Sequence, residues 1–194
     1  GYYMLATGSR LADGSVLANV SFLNIGPNRT TETDLPMRDN SEAVRVIGSF
    51  NSESKFIDAR TGRETSVLLT AGRGYFVVGL VGVGQEPTDH ALKDIAAKAA
   101  ELEQWGRSII LLFPDETAYA KYAASPAASL PQTVTFGIDR DGSVRRRILE
   151  AMQLPGNVSL PVFLIGDTFN RVVFESHGYT IGLGDRLLHT IHQL

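Results

Sequence analysis

Apolar positions change rhythm once along this chain of 194 residues. Up to about residue 70 they come in short runs, at 2–7, 16–25, 44–50 and 66–70, separated by turn residues. The runs are rich in Val, Leu, Ile, Phe and Tyr, which suit a pleated, half-buried surface. Within 16–25, Val16, Ala18, Val20 and Phe22 fall on one strand face and Leu17, Asn19, Ser21 and Leu23 on the other. Asp13-Gly14, Gly26-Pro27-Asn28 and Thr61-Gly62 are turn signals, because Gly permits φ > 0 and Pro presets its own φ. No helical period stands out. A β-layer with one apolar face has to bury it, which predicts a sandwich-like all-β domain over 1–72.

From Gly72-Arg73-Gly74 onward strands and helices alternate. Residues 75–81 form a continuous apolar run, as a strand covered on both faces requires. A helix is predicted from Thr88 or Asp89 to Gly106, with Leu92, Ile95, Ala96, Ala99 and Leu102 as its stripe and Asp94 pairing with Lys98. A strand follows at 109–113, then a short helix opened by Pro114-Asp115-Glu116 and closed at Ser125-Pro126. Next come a strand at 133–138 and a helix capped by Asp141 or Ser143. A hairpin of 161–165 and 172–175 and a last helix over 182–193 complete the chain. The order is β-α-β-α-β-α-β-β-α, a mixed sheet with helices on both faces, forming a second domain at 73–194 with almost no linker.

Composition narrows the chemistry. Lys and Arg number 18 and Asp and Glu 21, so the formal charge is −3, without the basic excess of a nucleic-acid binder. No apolar run approaches the ~20 residues that a membrane helix needs. The chain has no Cys, which excludes thiolate catalysis, dithiol redox chemistry and zinc-thiolate sites within it. His189 and His192 share a helix without a carboxylate or third His beside them, and read as surface residues. Asp139-Arg140-Asp141-Gly142 opens like a calcium loop but lacks the later ligands, and reads as a turn into a helix. Arg145-Arg146-Arg147 fans around a helix as a solvated face, and Gly82-Val83-Gly84 lacks the third glycine of a dinucleotide fingerprint. Asn28-Arg29-Thr30 and Asn157-Val158-Ser159 fit the glycosylation acceptor pattern, which short polar loops also produce by chance. No catalytic set, metal site or cofactor site is predicted.

Ser159-Leu160-Pro161-Val162-Phe163-Leu164-Ile165, then 167–173 and Gly178, resemble the end of a thioredoxin-like domain of the longer type with an extra βα unit. The resemblance covers about 72–194. It implies a cis Leu160–Pro161 bond beside the turn Gln85-Glu86-Pro87-Thr88, which falls on the family's C-x-x-C position. Pro87 matches the family's proline. Gln85 stands where the nucleophilic thiolate belongs, and an amide cannot attack a disulfide. Thr88 stands for the resolving thiol and reads as a helix cap. The resemblance also implies a groove for an extended peptide, formed by Gln85, Glu86, Pro87, Thr88, Ser159, Leu160 and Pro161.

The whole chain also resembles the C-terminal region of bacterial cell-envelope proteins that carry a transglutaminase-like core upstream. The stretches 1–8, 11–18 with Ser21-Phe22, Gly74-Tyr75-Phe76 with Gly84-Gln85-Glu86-Pro87, and 163–182 carry this likeness. It implies a periplasmic or extracellular location and a non-catalytic accessory module, whose partners are the parent's upstream domains and a peptide or glycan. Transglutaminase-like chemistry needs a Cys, so that catalytic core would lie outside this chain. The alternative class is a hydrolase built on Asp, Glu and His.

Overall fold

The computed structural model describes residues 1–10, 16–34, 38–39, 44–126 and 128–194. Two compact units emerge, Gly1–Arg45 with His192–Leu194 and Val46–Ile191. In the first, β1 (Tyr2–Arg10), β2 (Val16–Asn24) and β3 (Arg38–Asp39) form one antiparallel sheet in that order. β1 and β2 pair along their whole length, from Tyr2 opposite Asn24 to Arg10 opposite Val16. Tyr2 stacks on Phe22 across the pair, with ring centroids 6.1 Å apart. The described residues of this unit form a single layer, so the expected two-layer sandwich is not seen. The expected Asp13-Gly14 turn lies outside the described residues.

The larger unit is an eight-stranded sheet. Its strands are β4 (Gly48–Ser49), β5 (Lys55–Asp58), β6 (Glu64–Ser66), β7 (Tyr75–Leu80), β8 (Ile109–Phe113), β9 (Val134–Ile138), β10 (Val162–Asp167) and β11 (Arg171–His177). They lie side by side in the order β4-β11-β10-β7-β8-β9-β5-β6. β7, β8 and β9 are parallel, as strands linked by helical crossovers must be. β10 runs antiparallel to β7 and is paired with β11 through the expected hairpin. The helices are α1 (Val67–Ala71), α2 (Glu86–Ala97), α3 (Ala99–Trp105), α4 (Glu116–Ala124), α5 (Ser143–Ala151) and α6 (Leu183–His192). From β7 onward this is the expected order, with one helix broken in two at Lys98.

Residues 46–72, expected with the first domain, add strands to this sheet instead. β5 pairs with β9, Ile57 opposite Ile138, and the Gly72-Arg73-Gly74 turn joins α1 to β7 inside one unit. The change of rhythm at residue 72 marks a switch from antiparallel edge to parallel centre. Of residues 66–70, expected as a strand, only Ser66 ends one (β6); 67–70 lie in the helix α1, which the Ser66 side chain caps by accepting the Leu69 N–H. Of 44–50 only Gly48–Ser49 is a strand, at the sheet edge, with the flanking Ile47 and Phe50 N–H groups donating to the Val172 and Asn170 carbonyls.

The core follows from strand alternation. Phe76, Val78, Leu80, Ile110, Leu112, Val162 and Leu164 form one cluster with Val67 of α1 and Val144 and Ile148 of α5. On the other face Phe113 packs on Tyr122 of α4, with centroids 5.2 Å apart. α2 and α6 touch closely at Gly184, where a Cβ would come within 2.5 Å of the Asp94 carbonyl oxygen. Asp94 does not pair with Lys98 as expected. Its Oδ2 accepts the Leu183 N–H at 2.9 Å at the start of α6, and Lys98 pairs with Asp185 at 2.7 Å.

Candidate functional site

The parallel strands β7, β8 and β9 end on one side of the sheet, and β10 begins there, with Val162 opposite Leu80. Ligands of open α/β sheets gather at such carboxyl ends. After β7 the chain turns through Gly84 (φ 67°) and enters α2 at Glu86, ahead of the expected Thr88 or Asp89, with Gln85 as the residue flanking its first turn. Gln85 presents no side-chain cap; its carbonyl accepts the N–H groups of Thr88 and Asp89, each at 3.1 Å. Its amide folds back over Gly82, where a Cβ would sit 2.6 Å from Oε1. Thr88 is buried and does not cap the helix. Its Oγ1 accepts the Gly82 N–H at 3.3 Å, tying the first turn of α2 to the strand end.

The Leu160–Pro161 bond is cis, as the thioredoxin resemblance implied. Pro161 is buried, Leu160 half-buried and Ser159 exposed, while Gln85 and Glu86 are exposed and Pro87 half-buried. Gly178 fixes this segment, its N–H lying 3.1 Å from the Ser159 carbonyl and 2.8 Å from that of Pro161. Among the described residues, neither the N–H nor the C=O of Leu160 has a hydrogen-bond partner within the protein. Beyond Gly178, Tyr179 and Ile181 are 52% and 78% exposed.

Beside this segment lies a cavity that nothing in the sequence signalled. It has a volume of about 230 Å³, and Leu80, Val81, Phe113, Asp139, Arg145 and Leu160 are among its lining residues. Asp139 is buried, and its carboxylate caps α5: Oδ1 accepts the Val144 N–H at 3.0 Å and Oδ2 the Arg145 N–H at 2.8 Å. Capping of this helix was expected from Asp141 or Ser143: Asp141 Oδ1 does accept the Ser143 N–H at 3.0 Å, while Gly142 occupies the flanking position with φ 66° and Asp139 reaches past it to the next two N–H groups. The three arginines are more than a solvated face. Arg145 donates to the Gly156 carbonyl at 3.1 Å, Arg146 to the Asp141 carbonyl at 2.8 Å and Arg147 to Ser54 Oγ at 3.2 Å.

Chemistry that could replace thiols is sparse. Among the described residues no three His, Asp or Glu side chains are grouped to hold a metal ion. His90 and Asp94 come within 3.7 Å, but that carboxylate oxygen already accepts the Leu183 N–H, and the His90 ring stacks on Tyr179 at 5.0 Å. Among the described residues no helix is long and apolar enough to cross a membrane.

No protein-family model and no curated protein sequence matches this chain. Solved structures do match. A putative thiol:disulfide interchange protein DsbE from Chlorobium tepidum superposes with a TM-score of 0.55 at 15% identity, over 74% of this chain and 95% of its own. The bacterioferritin comigratory protein of Xanthomonas campestris gives 0.59 at 13% identity, over 77% and 100%. BsSco, of the Sco family of cytochrome c oxidase assembly proteins, gives 0.58 at 12%, over 78% and 96%. At such identities the likeness is one of fold. The chain therefore has a thioredoxin-like fold, without a single cysteine.

Proposed function

We propose that this chain is a binding module that keeps the peptide groove of a thioredoxin-like fold without its redox chemistry. One observation carries the reading: among the described residues the backbone N–H and C=O of Leu160 are unpaired, in the lining of a cavity and next to exposed Ser159. Backbone polar groups in half-buried positions normally find partners. An extended peptide laid along Leu160 supplies both at once, which is strand addition on a one-residue scale. Apolar Tyr179 and Ile181 offer contact surface beside it. A peptide is favoured over a glycan because the free groups are one donor and one acceptor spaced as in a strand.

We also propose, on the sequence resemblance, that the module belongs to a larger exported protein with a transglutaminase-like core. Reading the gene upstream of the Gly1 codon tests that part. The groove itself is tested with a pool of acetyl-pentapeptide amides, four randomised positions followed by Leu, screened for binding to the chain. The tightest binder is then N-methylated at one position at a time. Strand addition makes at least one methylation cost tenfold or more in affinity; binding indifferent to every methylation contradicts it.

A further inference from the structure

The cavity beside Leu160 has a chemistry of its own. Its floor consists of Leu80, Val81 and Phe113, each buried in the core, and Leu160 forms one wall. At about 230 Å³ it falls below the ~300–1,000 Å³ of sites for drug-sized molecules and cofactors. One apolar side chain with a small polar group attached fits that space.

The charges on its wall are unequal. The Asp139 carboxylate is already engaged on both oxygens by the backbone of α5. Arg140 is held by Glu116 through Nε and Nη2. Arg145 is half-buried, and of its guanidinium only Nη2 is engaged, on the neutral Gly156 carbonyl. Arg145 and Asp139 both line the cavity; the Asp139 charge is offset by the positive N-terminal end of α5, whereas the Arg145 guanidinium has no anionic partner among the described residues. Its complement is a carboxylate attached directly to an apolar side chain.

Resting on the peptide-groove reading above, we propose that the site captures the free C-terminus of a peptide ending in an aliphatic or aromatic residue. The terminal side chain fills the cavity and the terminal carboxylate meets Arg145, while the residues before it pair with Leu160. An internal acidic residue would have to lead the chain onward through a space sized for one side chain. A chain end meets no such obstacle.

The test compares two pools of acetyl-pentapeptides, four randomised positions followed by Leu, one with a free carboxylate and one amidated. Each is titrated against the unaltered chain and against Arg145→Gln. The free-acid pool is expected to bind at least tenfold more tightly, and Arg145→Gln to abolish that difference between acid and amide. Equal binding of acid and amide overturns C-terminal capture and leaves the groove standing. Binding by neither pool overturns both. If 4-methylpentanoate alone competes as strongly as the free-acid pool binds, the pocket takes small carboxylic acids and the peptide terminus is overturned. The comparison of acid with amide needs no variant, so misfolding of Arg145→Gln cannot mask the result.

Discussion

The hydroxyl of Thr88 accepts the backbone N–H of Gly82 at 3.3 Å, at the position to which the sequence resemblance assigned a resolving thiol. The contact is buried and closes the turn between β7 and α2 on itself. Replacing Thr88 by Val keeps the shape and removes the acceptor, leaving a buried donor without a partner. The expected loss is about 1–3 kcal/mol in urea unfolding. An unchanged midpoint would show that this N–H finds water and that the hydroxyl does not hold the turn.

Asp167 is fully buried at the opposite end of β10. Its Oδ1 accepts the N–H groups of Phe169 and Arg171, at 2.9 and 3.0 Å, and Oδ2 meets the Arg171 guanidinium at 2.6–2.7 Å. Asp167→Asn strands the Arg171 charge and spoils the β10–β11 turn. Stability should fall by about 1–3 kcal/mol, as when a buried acceptor loses a charge-assisted hydrogen bond. A loss below 1 kcal/mol would mean that the hairpin does not depend on the pair.

Gly184 lies where α6 crosses α2, and the atom that an added Cβ would strike belongs to the backbone. Gly184→Ala therefore has to push two helices apart. The expected cost is about 1–3 kcal/mol, despite the better helix propensity of Ala. Thermal unfolding decides; a stabilised variant would contradict the close crossing.

Burial raises the phenol pKa of Tyr75, where Arg171 opposes the effect, and of Tyr122, where Tyr119 adds to it. A raised folded pKa contributes stability in full below the unfolded value of about 10 and loses it as pH climbs through the folded value. Titration followed at 295 nm should show two tyrosines ionising later than a free phenol, with the melting temperature dropping over the same range. Six tyrosines ionising together near pH 10 would contradict this burial.

The sequence made the second half readable because its signals are local. Asp115 caps α4 through the Ala118 N–H, Gly106 ends α3 in the left-handed region, and Leu183, Leu187, Leu188 and Ile191 of α6 are buried together. The boundary at residue 72 failed because pairing is non-local: the hydrogen bonds that place β5 in the large sheet come from β9, some 80 residues away. Helix α1 was missed because its five residues are too few to show a period, although Ser66 three residues before Leu69 was a visible cap signal. The resemblance placed Gln85, Ser159 and Leu160 in one groove. The Arg145 cavity escaped notice because its walls come from β7, β8, α5 and the segment before β10, which no single stretch of sequence brings together.

Amide hydrogen exchange at Leu160 tests the central claim most directly, with and without a saturating amount of the tightest pentapeptide from the pools. In the free chain this N–H has no partner among the described residues and should exchange freely for its degree of burial. Pairing with the peptide backbone should slow it at least tenfold, while the Val162 amide, already within the β10 ladder, stays as it was. An unchanged Leu160 rate at saturation, with protection appearing on another face of the chain, would contradict the groove as the binding site.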